Sequence, residues 1–419
     1  MNTTKNVMLS ALLKSSVVDG NNGTLGKVHD LVITLHEGDY PTVAGLVLKV
    51  GRKQVFVPAA RIISMDTESV QLKNARLDMR DFTRRAGEVL LRGDILGHRL
   101  IDVDRALLVR AFDVEIALRG KNWIVTALDV HRRGIARLSS HGGHPVRDWK
   151  SFEALIGHAP TALARSAGGR VKDLKAAQIA DLIEDASPEE QDELLAAVHA
   201  QPELEADVFE ELEDDEQAKL LRNRPDPEVA EIISNMRADD AADAIMELQQ
   251  DRRIVVLGLL AEPQQTRVRT LLGYGEATAG GLMGVEFATC SVDGTVANAL
   301  AAVRAAITKQ PEALAAIFLT DAADQLAGVI SLIEAVQADP AAALRDVADL
   351  EPIHTHPDND LIDAVRLMTD FNILVLPIIE RGSHKILGVI TVDDALEAAI
   401  PDQWRKREVE MHRLHPHDH

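Results

Sequence analysis

The sequence predicts a multidomain protein in three parts: small β-barrels, an all-α right-handed helical solenoid, and a duplicated α/β pair. Three observations predict this. Short apolar runs split by turn residues fill 8–138, a twelve-residue helical unit recurs through the middle, and a strand-and-helix pattern repeats at about 60–65 residues towards the end. At 419 residues the chain is too long for one ordinary domain.

The first part is read from its strands. Val28, Leu31, Ile33 and Leu35 precede a turn at Glu37-Gly38-Asp39, Val43 to Val50 precedes a Gly51-Arg52-Lys53 turn, and Val55-Phe56-Val57 stops at Pro58. Apolar runs of this length, punctuated in this way, suggest a small barrel over 8–75. A second set, Val89 to Leu91, Leu107 to Phe112, Trp123 to Val130 and Ile135 to Leu138, suggests another over 88–138. The stretch Asn22-Gly23-Thr24-Leu25-Gly26-Lys27-Val28-His29-Asp30, with Val55-Phe56-Val57-Pro58 downstream, resembles the PRC-barrel family. That resemblance implies docking to other proteins and no chemistry. Residues 139–172 are expected to be a linker, marked by Gly142-Gly143-His144-Pro145 and Gly168-Gly169.

From 173 to 272 the pattern is helical. Decapeptides beginning at 212, 224, 236, 248 and 260 carry a turn or helix-start residue at the fourth place: Asp215, Pro227, Asp239, Asp251 and Pro263. Most are apolar at the ninth and tenth, as in Leu220-Leu221 and Ile232-Ile233. Twelve residues hold roughly two helical turns and a corner. Helices this short must stack to be stable, hence the solenoid.

Over 273–400 the two halves match as Thr295-Val296-Ala297-Asn298-Ala299-Leu300 with Asp360-Leu361-Ile362-Asp363-Ala364-Val365, and as Gly328-Val329-Ile330-Ser331 with Gly388-Val389-Ile390-Thr391. Each half reads helix, strand, strand, helix. Ser331 and Glu334, like Thr391 and Asp394, have the spacing of a capping box, which by itself is a structural device.

Composition narrows the function. Aromatic residues make up 3%, which argues against sugar-binding or base-stacking platforms. The single cysteine, Cys290, can neither close an internal disulfide nor build a thiolate cluster, and it fits a reducing compartment. No run approaches the roughly 20 apolar residues of a membrane helix, so a soluble cytoplasmic protein without membrane insertion is expected. The net charge is −21, and residues 181–250 alone hold 23 Asp/Glu against 4 Lys/Arg. Such a field repels nucleic acid and attracts cations, although a solvated acidic helix surface would look the same. No nucleophile elbow, zinc-protease helix or dinucleotide fingerprint is present, so no enzyme is expected.

The paired strand-turn-helix elements resemble tandem cystathionine-β-synthase (CBS) domains. In that family the hydroxyl and the acid commonly meet an adenine nucleotide. The resemblance implies nucleotide contacts at Thr391 and Asp394 and, with Glu334 in place of the usual Asp, at Ser331 and Glu334. Acidic twelve-residue repeats, then Glu276-Ala277-Thr278-Ala279-Gly280-Gly281-Leu282-Met283, then a CBS pair: this order over about 180–400 resembles the cytosolic half of MgtE-type magnesium transporters. It implies Mg²⁺, or a similar hard divalent cation, bridging carboxylates between solenoid and CBS pair, with ATP or AMP as a further ligand. The metal ligands it implies are Asp239, Asp243, Asp360, Asp394 and Glu397. Asp239 and Asp243, at i and i+4, are expected on one helix face, as are Asp394 and Glu397 at i and i+3. Asn372 stands where that family often has an acid. Beyond Ile400 the sequence turns basic, at Arg405-Lys406-Arg407, where the family continues into its membrane domain. The reading is therefore a cation-responsive regulator, not a channel, with a hinge near Gly280-Gly281, a homodimer through the CBS pair, and a membrane cation transporter as partner. The competing readings are an adenine-nucleotide energy sensor and a scaffold with no ligand. The tail 401–419, with His412, His415, His417 and His419, is a weaker site for a borderline metal.

Overall fold

The structure, a computed structural model, describes residues 6–35, 40–85, 87–130, 146–153, 170–275, 277–306 and 310–399. The chain divides into two compact units, Met1–Leu212 and Glu213–His419.

The first unit is built on one large sheet. Strands β1 (Asn6–Met8), β2 (Ser16–Val18), β3 (Thr24–Thr34), β4 (Thr42–Val50), β5 (Lys53–Pro58), β6 (Ile62–Met65), β7 (Ser69–Leu72) and β8 (Glu88–Leu90) come first, after which β9 (Arg99–Asp102) and β10 (Leu107–Arg110) pair with each other. Then follow β11 (Asp113–Arg119), β12 (Asn122–Asp129) and β13 (Arg147–Asp148). The main path runs β1-β11-β12-β4-β3-β2-β7-β6, with β5 on β4, β8 on β3 and β13 on β12, a nearly closed barrel-like sheet. Strands expected in two separate barrels are thus interleaved: β11 pairs with β1, and β12 meets β4. One apolar cluster, from Val7 and Leu31 to Val125 and Leu128, fills the interior. Alternation within each strand signals a sheet but carries no information about which strand lies beside it, so sequence reasoning split the sheet at a loop.

The expected linker also contributes. Within it β13 pairs with β12, and β14 (Phe152–Glu153) pairs with β9. Trp149 and Phe152 are buried in the same core. Residues 131–145, 154–169 and 401–419 lie outside the described residues, and with them the four tail histidines.

A bulge on β3 separates Val28 from Asp30 in the register with β4 and turns Asp30 into the interior. Its carboxylate accepts from Leu31 N (2.7 Å), Arg92 N (2.8 Å) and Gly93 N (3.0 Å), pinning a turn some 60 residues away in sequence. Burial, partly offset by those amides, pushes its pKa up to about 6.

Helices α1 (Leu9–Leu12), α2 (Ala176–Glu184), α3 (Pro188–Val198) and α4 (Pro202–Glu210) complete this unit. Arg99 ties β9 to the helices, with Nη1 on Glu190 (3.0 Å) and Nη2 on the Asp185 carbonyl (2.7 Å).

The second unit opens with α5 (Asp214–Arg222), α6 (Asp226–Asn235), α7 (Ala238–Glu247), α8 (Gln250–Leu259) and α9 (Glu262–Leu271). Their starts fall twelve residues apart, and the fourth-place residue of each decapeptide is the second residue of its helix. The ninth- and tenth-place residues Leu221, Ile232, Ile233, Ile245, Val256 and Val268 are buried. Helix α7 packs on α5 and α9, and α6 on α8, the alternate-neighbour contact of a stacked array.

The duplicated part follows: β15 (Ala288–Ser291), α10 (Val296–Ala305), β16 (Ala316–Thr320), β17 (Leu326–Ser331), α11 (Leu332–Gln337) and α12 (Leu344–Val347), then α13 (Leu361–Phe371), β18 (Val375–Ile379), β19 (Ile386–Thr391) and α14 (Val392–Ala399). β16 and β17 are antiparallel with β15 parallel to β16; β18 and β19 are antiparallel, with Thr355 bridging Ile378 in parallel. The repeated glycines have one structural cause. A Cβ on Gly328 would stand 2.8 Å from the Asp349 carbonyl, and on Gly388 2.7 Å from that of Gly284, because a neighbouring backbone crosses at each point.

The hinge expected at Gly280-Gly281 is not what these glycines provide. Ala279 N donates to Asn359 O and Gly280 N to Pro357 O, both at 2.9 Å, and Leu361 N donates to Ala277 O. A Cβ at Gly280 would meet the Tyr274 ring at 2.7 Å. The segment is fastened to the second α/β half, and the glycine permits close packing.

Candidate functional site

The site forms where the start of α7 meets the start of α14. Helix α7 begins with Asp239-Asp240 in its first turn, where carboxylates favour the exposed amides and the helix dipole. Arg237 is the residue preceding the helix. Its Nε donates to Asp240 Oδ2 (2.6 Å) and its Nη1 to Asp394 Oδ1 (3.2 Å). The other Asp394 oxygen accepts from Gln310 Nε2 (2.8 Å), Thr391 Oγ1 (2.7 Å) and Thr391 N (3.1 Å). Asp394 N returns a bond to Thr391 Oγ1 at 3.3 Å, closing a capping box at the head of α14. Asp394, Thr391, Gln310 and Asp239 are all buried, while the Asp240 side chain keeps 24% of its exposure.

The electrostatics follow from crowding. Burial, then the neighbouring Asp240, and with them Asp394, push the Asp239 carboxyl well above the usual carboxylate range against the pull of Arg237. Asp240 is raised as well, first by burial, with Glu397 and Asp394 adding to it and Arg237 opposing. Burial alone would lower the pKa of Arg237; Asp240, Asp239 and Asp394 outweigh it and hold the guanidinium protonated. These oxygens are the hard donors a divalent cation of the magnesium type takes. In this arrangement a guanidinium stands among them, and among the described residues no three His, Cys, Asp or Glu side chains are grouped to hold an ion.

Residues 174–277 match the MgtE intracellular N domain. Residues 344–400 match the CBS domain. Helix α7 therefore lies in the N domain and α14 in the CBS domain. The chain is 30% identical over 195 residues to the magnesium transporter MgtE of Thermus thermophilus, covering 46% of this chain and 43% of that protein. It is 28% identical over 130 residues to that of Enterococcus faecalis, covering 31% of this chain and 28% of that protein. It thus spans less than half the length of these two curated relatives. Among solved structures it resembles the soluble part of a magnesium transporter, with a TM-score of 0.50, 22% identity, and coverage of 57% of this chain and 95% of that one. It also resembles the cytosolic domain of the Mg²⁺ channel MgtE in complex with ATP, with a TM-score of 0.50, 25% identity, and coverage of 56% and 97%. Among the described residues no helix is long and apolar enough to cross a membrane.

The residues expected from sequence fall into three groups. Asp239 and Asp394, which the resemblance implied would meet, lie close enough to act on one another through their charges. Asp243 and Glu397 are exposed, so the i and i+4 pair on α7 does not share an environment: Asp239 is buried and Asp243 faces solvent. Glu397 nevertheless acts on Asp240 through its charge. Asp360 is the N-cap of α13, where its carboxylate accepts from Ile362 N (2.9 Å). In the first CBS-like half, Ser331 and Glu334 form a reciprocal capping box, with Ser331 Oγ on Glu334 Oε2 at 2.8 Å and Glu334 N on Ser331 Oγ at 3.1 Å. That pair is more open than Thr391 and Asp394.

Sequence reasoning missed Arg237, Asp240 and Gln310. A signal for Arg237 existed: it is one of only 4 basic residues against 23 acidic ones over 181–250, directly before the Asp-Asp pair. Gln310 had none, since it lies in an irregular segment and reaches Asp394 across 84 residues.

Proposed function

We propose that this chain is a non-enzymatic regulator of magnesium homeostasis, in which a hard divalent cation, Mg²⁺ foremost, bridges carboxylates of the N domain and the second CBS half. The observation that carries the reading is the convergence of Asp239, Asp240 and Asp394 from these two regions on a single cationic group. Three acids crowded beside one guanidinium offer oxygen donors whose mutual repulsion a dication would relieve. Exposed Glu397, which acts on Asp240 through its charge, is a further oxygen donor, and exposed Asp243 lies one turn along α7. An ion that binds the joined arrangement of α7 and α14 more tightly than the parted one shifts the population towards it.

The proposed setting is the cytoplasmic side of a membrane cation transporter, with the barrel unit as docking module. A homodimer through the CBS helices is part of this reading, supported by exposed Ile333 and Val336 on α11 and Ile362 and Phe371 on α13. Multi-angle light scattering returning the mass of a monomer at micromolar concentration would remove it.

A second reading, an adenine-nucleotide sensor, draws on the ATP complex of the MgtE cytosolic domain named above. Against it, Thr391 and Asp394 are buried and bonded to one another, so a nucleotide would have to draw Asp394 away from Arg237 and Gln310. Titration calorimetry of the full chain with Mg²⁺, Mn²⁺ and ATP separates the two. The metal reading requires saturable heat with the ions that is lost in Asp239→Asn/Asp394→Asn; heat with ATP alone would replace it by the nucleotide reading.

A further inference from the structure

We propose that Arg237 is a tethered competitor for the cation position among Asp239, Asp240 and Asp394, and that it sets the concentration at which a divalent ion enters. The proposal rests on the metal reading above and deepens it. Where two acidic helix starts are brought together, an added cation is ordinarily needed to offset their repulsion. Here the chain supplies one from its own side chain, Arg237 immediately before α7, with Nε on Asp240 at 2.6 Å and Nη1 on Asp394 at 3.2 Å. The Arg237 side chain is 21% exposed and Asp394 only 3%, so the pair is shielded from bulk solvent and its attraction is less screened.

Two features make this a contest and not a finished structural salt bridge. First, the one guanidinium is shared: it bonds both Asp240 and Asp394 and attracts Asp239 through its charge. Second, Asp239 is buried beside this pair, where Asp240 and Asp394 oppose its charge and Arg237 favours it.

A guanidinium is planar and binds carboxylates by directed N–H bonds, whereas a hard dication takes oxygens all round. Both cannot occupy the same gap. Entry of the ion must expel Arg237, which being tethered competes at high effective concentration. At low metal Arg237 keeps α7 joined to the Thr391–Asp394 box. At high metal the ion replaces it and frees the guanidinium.

The test is calorimetric titration of the full chain with MnCl₂ and MgCl₂, comparing wild type with Arg237→Met, which keeps an apolar stem and removes the charge. The expected result is binding at least ~10-fold tighter in Arg237→Met. Amide exchange of α7 and α14 in EDTA should also be faster in that variant and return to the wild-type rate with Mn²⁺. Equal or weaker Mn²⁺ binding by folded Arg237→Met, with wild type still binding, overturns the competition and leaves the metal reading standing. Absence of Mn²⁺ uptake by both proteins overturns both. Should Arg237→Met not fold, Arg237→Lys, which keeps the charge but loses the fork, is expected to bind Mn²⁺ more tightly than wild type. An affinity equal to wild type's would overturn the proposal.

Discussion

Asp394→Ala removes a carboxylate that four donors share: Arg237 Nη1, Gln310 Nε2, Thr391 Oγ1 and Thr391 N. Losing a helix cap costs about 1 kcal/mol. Leaving a buried amide such as that of Gln310 without its acceptor costs about 1–3 kcal/mol. Breaking a buried ion pair by deleting one partner costs about 3–5 kcal/mol. These overlap, because one cavity serves all three and water can enter it, so the expected loss is about 4 kcal/mol. Glu334→Ala deletes the equivalent acid of the first CBS-like half, where only the local box is formed, and about 1 kcal/mol is expected. The difference, about 3 kcal/mol, corresponds to roughly a hundred-fold change in the local opening equilibrium. Hydrogen exchange of the α14 and α11 amides in EDTA measures both openings without requiring the whole chain to unfold in one step. Similar losses in the two variants would show that Asp394 is only a cap, and the cluster argument would fail.

The positions of Asp239, Asp30 and the paired glycines give three more expectations. Because burial and its acidic neighbours raise the Asp239 carboxyl, protons compete with metal there, so apparent Mn²⁺ affinity should rise with pH; calorimetric titration at two pH values checks this, and a pH-independent affinity would refute it. Asp30, with a folded pKa of about 6 against 3.8 for the ordinary group, costs stability when charged. That cost, about 3 kcal/mol above pH 6, is relieved as pH falls from about 6 towards 4, so Asp30→Asn should flatten this part of the pH–stability curve of the barrel unit in urea titrations. Gly388→Ala and Gly328→Ala each force a Cβ against a backbone carbonyl and should lower stability by about 1–3 kcal/mol, read as a shift in urea midpoint; unchanged midpoints would mean the crossing segments yield freely.

The parts legible in the sequence were those written in local periodicity. The twelve-residue repeat placed the starts of α5 to α9 and the buried Ile232-Ile233 and Leu221 because a short helix repeats its own apolar face whatever surrounds it. The duplication over 273–400 was legible for the same reason, down to the paired glycines of Gly328 and Gly388. Asp239 and Asp394 were found through family resemblance, and the capping spacing of Thr391 and Asp394 was visible unaided. Less legible were burial and partnership. Asp239 and Asp243 look alike along the helix, yet one is buried and the other exposed, since only packing decides how much of a helix face is covered.

By itself, then, the sequence determined the three-part class, the helical repeat, the CBS-like duplication and the acidic character of the helical segment. The tertiary structure alone decided that β8, β11 and β12 share one sheet with the strands of 8–75, that Trp149 and Phe152 of the supposed linker belong to the same core, and that Gly280 is a packing contact. It also decided that a cation already stands at the carboxylates. The physical reason is separation along the chain: Arg237 and Asp394 are 157 residues apart, and no periodicity or composition links them. A repeat is dictated by neighbours in sequence; a charge is matched by neighbours in space.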